Sequence, residues 1–63
     1  MFTVGDEVSV ILPELTRVLH GEVTRVLPRY PGKKQRYQVN VQSHLGEATI
    51  EVEEALLRNW WLK

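Results

Sequence analysis

The strongest constraint on the fold of this chain is a pair of alternating segments on either side of a short glycine-containing loop. Residues 36–43 read RYQVNVQS, residues 48–53 read ATIEVE, and HLGE lies between them. In both segments every second residue is apolar or aromatic. A period of two is typical of β-strands, and two such runs joined by a short loop with glycine predict a β-hairpin. We therefore expect an all-β fold.

The rest of the chain predicts three further short strands, over residues 7–12, 19–27 and 59–62. Pro13 ends the first of these strands, because proline has no N–H to donate to a strand ladder. Residues 53–57 are too few for a free-standing helix and predict a single 3₁₀ turn before the last strand.

The second strand carries two irregularities. Val23 and Val26 fit opposite phases of the alternation, so we expect a β-bulge near Thr24-Arg25. Gly21 indicates a close approach of another backbone or a sharp bend. In the following loop, Pro31-Gly32 suits a type II turn, because glycine readily takes the positive φ of that turn.

A chain of 63 residues makes a single domain, residues 1–63, with a thin core. With no cysteine, disulfides are excluded, so a closed barrel or self-association must supply the missing stability. From the alternation we expect a mostly buried core of Val8, Val10, Val23, Val39, Val41, Ala48, Ile50, Val52 and Leu56.

Composition predicts a cytoplasmic protein. The lack of cysteine fits a reducing compartment. The N-terminus lacks the basic segment and apolar run of a signal peptide. No stretch approaches the roughly 20 apolar residues of a membrane span, so we expect no membrane partner.

The net charge is zero, but the charges are unevenly distributed. Residues 17–36 carry six basic side chains and one acidic one, whereas residues 47–54 carry four acidic side chains and no basic one. Such runs are typical of solvated faces. Alternatively, they form oppositely charged partner surfaces, which could also pair between subunits.

Five short strands with a one-turn helix before the last describe an SH3-like barrel, and barrel closure would remove exposed sheet edges. The runs GDEVSV, LHGEVTRVL and YQVNVQSHLGEATIEVEEALLR resemble the small SH3-like barrels of the plasmid-encoded type II dihydrofolate reductases. The resemblance covers residues 5–58, with a different loop between strands two and three. It implies the barrel fold.

The residues that carry activity in that family are mostly different here. The family's pore strand has a Val-Gln-Ile-Tyr run, and the matching positions are Ala48, Thr49, Ile50 and Glu51. The family's ligand-attracting lysine corresponds to Val10. Losing a lysine and gaining a glutamate would repel anionic folate and dinucleotide, so the resemblance implies the fold without the reduction.

No catalytic or metal-binding pattern is apparent in the sequence. His20 and His44 lack carboxylates at metal-ligand spacing, and neither Ser9 nor Ser43 lies in a nucleophile elbow. The adjacent carboxylates of Glu53-Glu54 suit the start of the short helical turn. We therefore expect a non-enzyme without cofactor or metal.

Binding residues are expected in the basic loop and at the C-terminus. The candidates for partner binding are Arg29, Tyr30, Lys33, Lys34, Arg36, Trp60 and Trp61. Tyr30 among basic side chains suits base stacking with phosphate contact, recognition of an acidic peptide, or plain loop architecture. The adjacent tryptophans of a strand point to opposite faces, and an outward tryptophan suggests an interface.

Three functions remain open from the sequence. The first is a non-catalytic interaction and assembly module that binds a protein partner or itself as a homo-oligomer. The second is a nucleic-acid-binding barrel that uses the loop of residues 29–36, although zero net charge is unusual for that class. The third, disfavoured by the lost pore residues, is an enzyme of the type II reductase kind.

Overall fold

The computed structural model describes residues 1–15 and 17–59. The described residues form five strands and two 3₁₀ turns. These are β1 (Glu7–Leu12), a first turn (Pro13–Leu15), β2 (Arg17–Val26), β3 (Arg36–Ser43), β4 (Gly46–Glu53), a second turn (Glu54–Leu56) and β5 (Leu57–Asn59). The all-β class and the 3₁₀ turn before the last strand are confirmed.

Four strand boundaries and one turn differ from expectation. β2 ends at Val26 rather than Leu27, and β4 begins at Gly46 rather than Ala48. β2 begins at Arg17 rather than Leu19, because the first 3₁₀ turn reverses the chain at once and lets Leu12 pair with Arg17. That turn was not predicted. β5 begins at Leu57 rather than Asn59, since Leu57 already pairs with Val10 directly after the second turn.

The strands form one antiparallel sheet in the order β4-β3-β2-β1-β5, so β4 and β5 are its two edges. A flat sheet would separate these edges by about 19 Å, four intervals of about 4.8 Å. The chain from Glu53 to Leu57 spans at most about 14 Å when extended, and less in a 3₁₀ turn. The sheet is therefore strongly curved. The described residues show no pairing of β4 with β5, so closure of the barrel stays a prediction.

The expected irregularities of β2 are confirmed. Its pairing with β3 shifts between Val23 and Arg25, which is the predicted bulge. A Cβ at Gly21 would overlap the Asn40 carbonyl oxygen and lie 2.9 Å from Cγ1 of Val39. Because a backbone carbonyl within a paired strand cannot move aside, this position requires glycine.

The predicted hairpin is confirmed over its full length. β3 and β4 pair from Arg36 opposite Glu53 to Ser43 opposite Gly46, so the connecting loop is only His44 and Leu45. Gly46 has φ +118°, a backbone conformation that other residues rarely adopt. β4 contains the whole ATIEVE segment and also Gly46 and Glu47, which were expected in the loop.

The core of the described residues consists of eight side chains, contributed by all five strands. They are Val8, Val10, Val23, Tyr37, Val39, Val41, Val52 and Leu57. Six of the nine predicted core residues are therefore confirmed: Val8, Val10, Val23, Val39, Val41 and Val52.

The other three predicted core residues are not fully buried. Ala48 is exposed, and Ile50 and Leu56 are half-buried. Along the inner face of β4, Val52 is buried, Ile50 is half-buried and Ala48 is exposed. Only two residues separate Ala48 from the hairpin loop on β4, an edge strand that pairs only with β3 among the described residues, so fewer described side chains pack over it. Leu56 is half-buried because it belongs to the 3₁₀ turn, whereas Leu57, the first residue of β5, enters the core.

The N-terminal segment covers one end of this core. Phe2 packs edge-on against Tyr37 with ring centroids 5.8 Å apart. The Gly5 N–H donates to the Val23 carbonyl at 2.9 Å, and the Val23 N–H donates to the Asp6 carbonyl at 3.0 Å. The described part of the chain holds no helix with the length and apolar character that a membrane crossing requires.

Two adjacent leucines provide a matched test of this core. Leu57 is 2% exposed and Leu56 is half-buried. We expect Leu57→Ala to lower the free energy of unfolding by about 2–5 kcal/mol, the usual cost of emptying a packed site. Leu56→Ala should lower the free energy of unfolding by only about 1 kcal/mol, because the Leu56 side chain buries less apolar area than that of Leu57. Urea denaturation of both variants measures the difference, and an equal or larger loss for Leu56→Ala would contradict the core described above.

Candidate binding cleft beside the β2–β3 loop

The loop that carries the candidate residues contains the predicted type II turn. Pro31 and Gly32 occupy its central positions, Gly32 has φ +77°, and the Lys33 N–H donates to the Tyr30 carbonyl at 3.0 Å. The Arg29 Nε donates across the same turn to the Lys33 carbonyl at 3.4 Å. The turn therefore holds Tyr30 and Lys33 in a defined relative position.

Hydrogen bonds at its base close this loop. The Leu27 N–H donates to the Arg36 carbonyl at 3.1 Å. The Gln35 side-chain amide donates to the Leu27 carbonyl at 2.7 Å and to the Arg36 carbonyl at 3.0 Å. The Gln35 carbonyl in turn accepts the Glu54 N–H at 3.1 Å. A loop closed in this way is organised before any partner arrives, which lowers the entropic cost of binding.

An open cleft of about 540 Å³ lies between this loop and strand β4. It is lined by Leu27, Pro28, Tyr30, Gly32, Lys33, Lys34, Arg36, Glu51 and Glu53. The structure thus brings four of the predicted binding residues, Tyr30, Lys33, Lys34 and Arg36, into one cleft. Arg29 lines a smaller neighbouring depression of about 220 Å³. Trp60 and Trp61 lie outside the described residues.

The basic loop and the acidic strand meet within one chain. Arg36 Nη1 lies 2.7 Å from a carboxylate oxygen of Glu51, and Lys34 Nζ lies 3.7 Å from one of Glu53. Both ion pairs are solvent-exposed, so each contributes little to stability. Their main effect is on the electrostatic potential of the cleft, because they neutralise two of the four predicted binding cations.

Glu51 and Glu53 are the cleft residues that the sequence reasoning missed. The sequence carries a signal for them. If Ser43 pairs with Gly46 at the hairpin turn, residue-by-residue pairing away from the turn places Arg36 opposite Glu53. Because cross-strand neighbours on one face lie within side-chain reach, the register predicts contact between these two charge runs.

A second, polar depression lies on the outer face of the sheet. It measures about 300 Å³ and is lined by Glu7, His20, Gly21, Glu22, Asn40 and Gln42. The Ser9 hydroxyl and His20 Nδ1 are 3.1 Å apart. Asn40 Oδ1 is buried without a hydrogen-bond partner in the part of the chain that the structure describes. Across residues 1–15 and 17–59, no group of three or more His, Asp or Glu side chains is placed to hold a metal ion.

Tyr37 connects the base of the loop to the core. Its hydroxyl donates a short hydrogen bond to a Glu54 carboxylate oxygen and accepts the Phe2 N–H at 3.2 Å. Burial raises the pKa of Tyr37 above its ordinary value of 10.0, and the hydrogen bond and negative charge of Glu54 raise it further. The neutral phenol is thus the form that the fold stabilises.

No protein-family model, curated protein or solved structure matches this chain. The resemblance to type II reductases therefore rests on the quoted residues alone. What the structure supports is the coarser statement that the protein is a small five-stranded antiparallel β-fold.

The raised pKa of Tyr37 predicts an alkaline loss of stability. The contribution of the neutral phenol is complete below pH 10.0, the unfolded-state pKa, and is lost as the pH rises through the higher folded-state pKa. Tyr37→Phe removes the titrating group, so the stability gap between wild type and this variant should narrow above pH 10. Urea midpoints measured from about pH 8 to about pH 11 test this, over the range in which an ordinary tyrosine titrates.

Tyr30→Phe is the matched control for that measurement, because the Tyr30 side chain is exposed in the loop. This variant should show the same alkaline fall as the wild type. A constant gap between wild type and Tyr37→Phe across the whole range would overturn the linkage.

Proposed function

We propose that this protein is a non-catalytic SH3-like interaction and assembly module that self-associates. The observation that carries the proposal is the exposed apolar end of the sheet. Along the inner face of β4, exposure increases towards the hairpin loop, from buried Val52 through half-buried Ile50 to exposed Ala48. An apolar face that one chain leaves uncovered is typical of a surface covered by a partner.

Several further apolar side chains at this end of the sheet are exposed, and those of Ile11 and Val18 lie on the outer face, away from Ala48. Leu45 in the hairpin loop is 87% exposed, and Val18 at the start of β2 is 53% exposed. Val18 pairs with Ile11, which is also exposed. Because β2 runs antiparallel to β3, the start of β2 and the hairpin loop lie at the same end of the sheet. We call Ile11, Val18, Leu45 and Ala48 the apolar end.

A second copy of the chain is the occupant that this proposal assigns to the apolar end. A domain of this size has a small core, and oligomerisation is one of the usual ways for such domains to gain stability. The eight core side chains include only one aromatic and one leucine, the rest being valines. Burying the apolar end in a homo-oligomer adds to this core without a disulfide or a metal.

Nucleic-acid binding is less well supported by the geometry of the cleft. Its cations include Lys34 and Arg36, which are paired with Glu53 and Glu51. A phosphate chain laid along the cleft would meet both carboxylates, and like charges repel. The paired arrangement therefore favours a protein partner over a polyanion.

Folate reduction is also less well supported. Val10 stands where the resembling family has its lysine, and Val10 is fully buried. Glu51 stands where that family has its pore tyrosine, and it is ion-paired with Arg36. The exposed Thr49 replaces the family's glutamine. These three positions support a module without this activity.

Light scattering coupled to size exclusion tests self-association. We expect the wild type to elute with a mass that is a multiple of 7.3 kDa. Leu45→Asp should shift the mass to that of a monomer, because a charge at the apolar end would have to be desolvated in the assembly. Leu45 is an exposed loop residue, so the monomer should remain folded.

Val4→Asp is the matched control for this experiment. Val4 is 63% exposed but belongs to the N-terminal segment, whose Phe2 packs on Tyr37 at the other end of β3. This variant should keep the mass of the wild type. A wild type that is monomeric at about 100 µM, a concentration at which even weak dimers of micromolar Kd are populated, would refute the self-association.

The absence of reductase activity is tested by following cofactor oxidation. With dihydrofolate, NADPH and a high concentration of the protein, the rate should equal that of the buffer blank, because the positions of Val10, Thr49 and Glu51 lack the family's side chains. A type II reductase assayed in parallel serves as the positive control. Turnover clearly above the blank would make the enzyme hypothesis the leading one.

A further inference from the structure

The two ion pairs of the cleft divide the basic loop into two parts. Lys34 and Arg36 are held by Glu53 and Glu51 on β4. Lys33 and Arg29 have no acidic partner within 4.0 Å among the residues that the structure describes. The positive potential of the cleft is therefore concentrated at the turn, beside Tyr30, and is cancelled along the strand.

Tyr30 supplies an apolar surface next to this positive charge. Its side chain is 65% exposed although it sits on a turn closed by the hydrogen bond from the Lys33 N–H. Pro28 and the half-buried Leu27 line the same cleft. A tyrosine has only two side-chain torsions to immobilise, so it offers a large contact area at a low entropic cost, and tyrosine is accordingly frequent in binding surfaces.

Glu51 and Glu53 line the cleft and limit how much negative charge a bound molecule can carry. One carboxylate beside Lys33 gains attraction from a cation that no acid neutralises among the described residues. A repeating polyanion would extend past the turn and meet both acids, at a cost that grows as water is excluded. Charge complementarity therefore selects an occupant with a single negative group next to an apolar one.

We propose that the cleft binds an extended peptide segment of a partner protein in which one Asp or Glu lies next to an aromatic residue or proline. The acidic side chain pairs with Lys33, supported by Arg29. The neighbouring ring packs against Tyr30, Pro28 and Leu27. This proposal rests on the interaction-module function proposed above but does not depend on self-association, because the cleft and the apolar end share no residue.

The experiment selects peptides and then measures their affinity. A phage-displayed library of random dodecapeptides is panned against the immobilised full chain, with depletion against a Lys33→Ala/Tyr30→Ala double variant. The peptide most enriched is synthesised with a fluorescein label, and its Kd is measured by fluorescence anisotropy. We expect enriched sequences to carry Asp or Glu within two positions of an aromatic residue or proline.

Single variants then separate Lys33 from its paired neighbour. Lys33→Ala and Tyr30→Ala should each weaken binding about tenfold, the effect of losing one charge-assisted contact or one aromatic anchor. Lys34→Ala, the adjacent lysine, should weaken binding only about threefold, because Glu53 already offsets that charge and the loss comes from leaving the Glu53 carboxylate unpaired in the cleft. Glu53→Gln should tighten binding about threefold by releasing Lys34, a gain that an unfolded variant cannot produce.

Three results would overturn the proposal. The first is a panning experiment in which no peptide is enriched on the wild type relative to the double variant, or in which the enriched peptides contain no Asp or Glu. The second is a loss for Lys34→Ala as large as that for Lys33→Ala. The third is binding of a labelled oligothymidylate with a log–log salt slope of about −3 to −4, the slope for four neutralised phosphates, which would identify a nucleic-acid site. None of these results changes the mass measured by light scattering, so failure of this site and failure of self-association are distinguishable.

Discussion

The structure depends on a short connection that crosses from one edge of the sheet to the other. Strand β4 ends at Glu53 and strand β5 begins at Leu57 on the opposite edge, with only the second 3₁₀ turn between them. So few residues cannot bridge a flat five-stranded sheet, so the sheet must curve. The curvature brings valines from neighbouring strands together around Tyr37 and allows a chain without disulfides to enclose a core. It also requires glycine at position 21, where two backbones approach closely.

The core occupies only part of the sheet. Among the described residues, β5 pairs with β1 from Val8 to Val10, and Ala48 lies beside the hairpin loop on the edge strand β4. The molecule is elongated, with extents of 37 × 21 × 21 Å. One end is covered by Phe2 on Tyr37, and the other carries the exposed Leu45 and Ala48.

The register of the hairpin determines the electrostatics of the cleft. Pairing Ser43 with Gly46 places the basic start of β3 beside the acidic end of β4, and Arg36 and Glu51 form an ion pair. Two charge runs that look like separate surfaces in the sequence are therefore joined by two ion pairs in the fold. At the turn, Lys33 and Arg29 have no such pair among the described residues. Fewer cations of the loop are therefore available to bind an anionic group than its composition indicates.

The sequence by itself determined the features that depend on local pattern. The alternation defined the hairpin, the phase slip located the bulge, and Pro31-Gly32 and Gly21 marked the turn and the close approach. These were predictable because period and turn chemistry are encoded by neighbouring residues. Only the tertiary structure decided that Leu57 and not Leu56 enters the core, that Ala48 lies outside it, and that Lys34, but not Lys33, has an acidic partner among the described residues. Those outcomes depend on which strand lies opposite each side chain, and alternation along a single strand contains no information about the length or position of the strand that covers it.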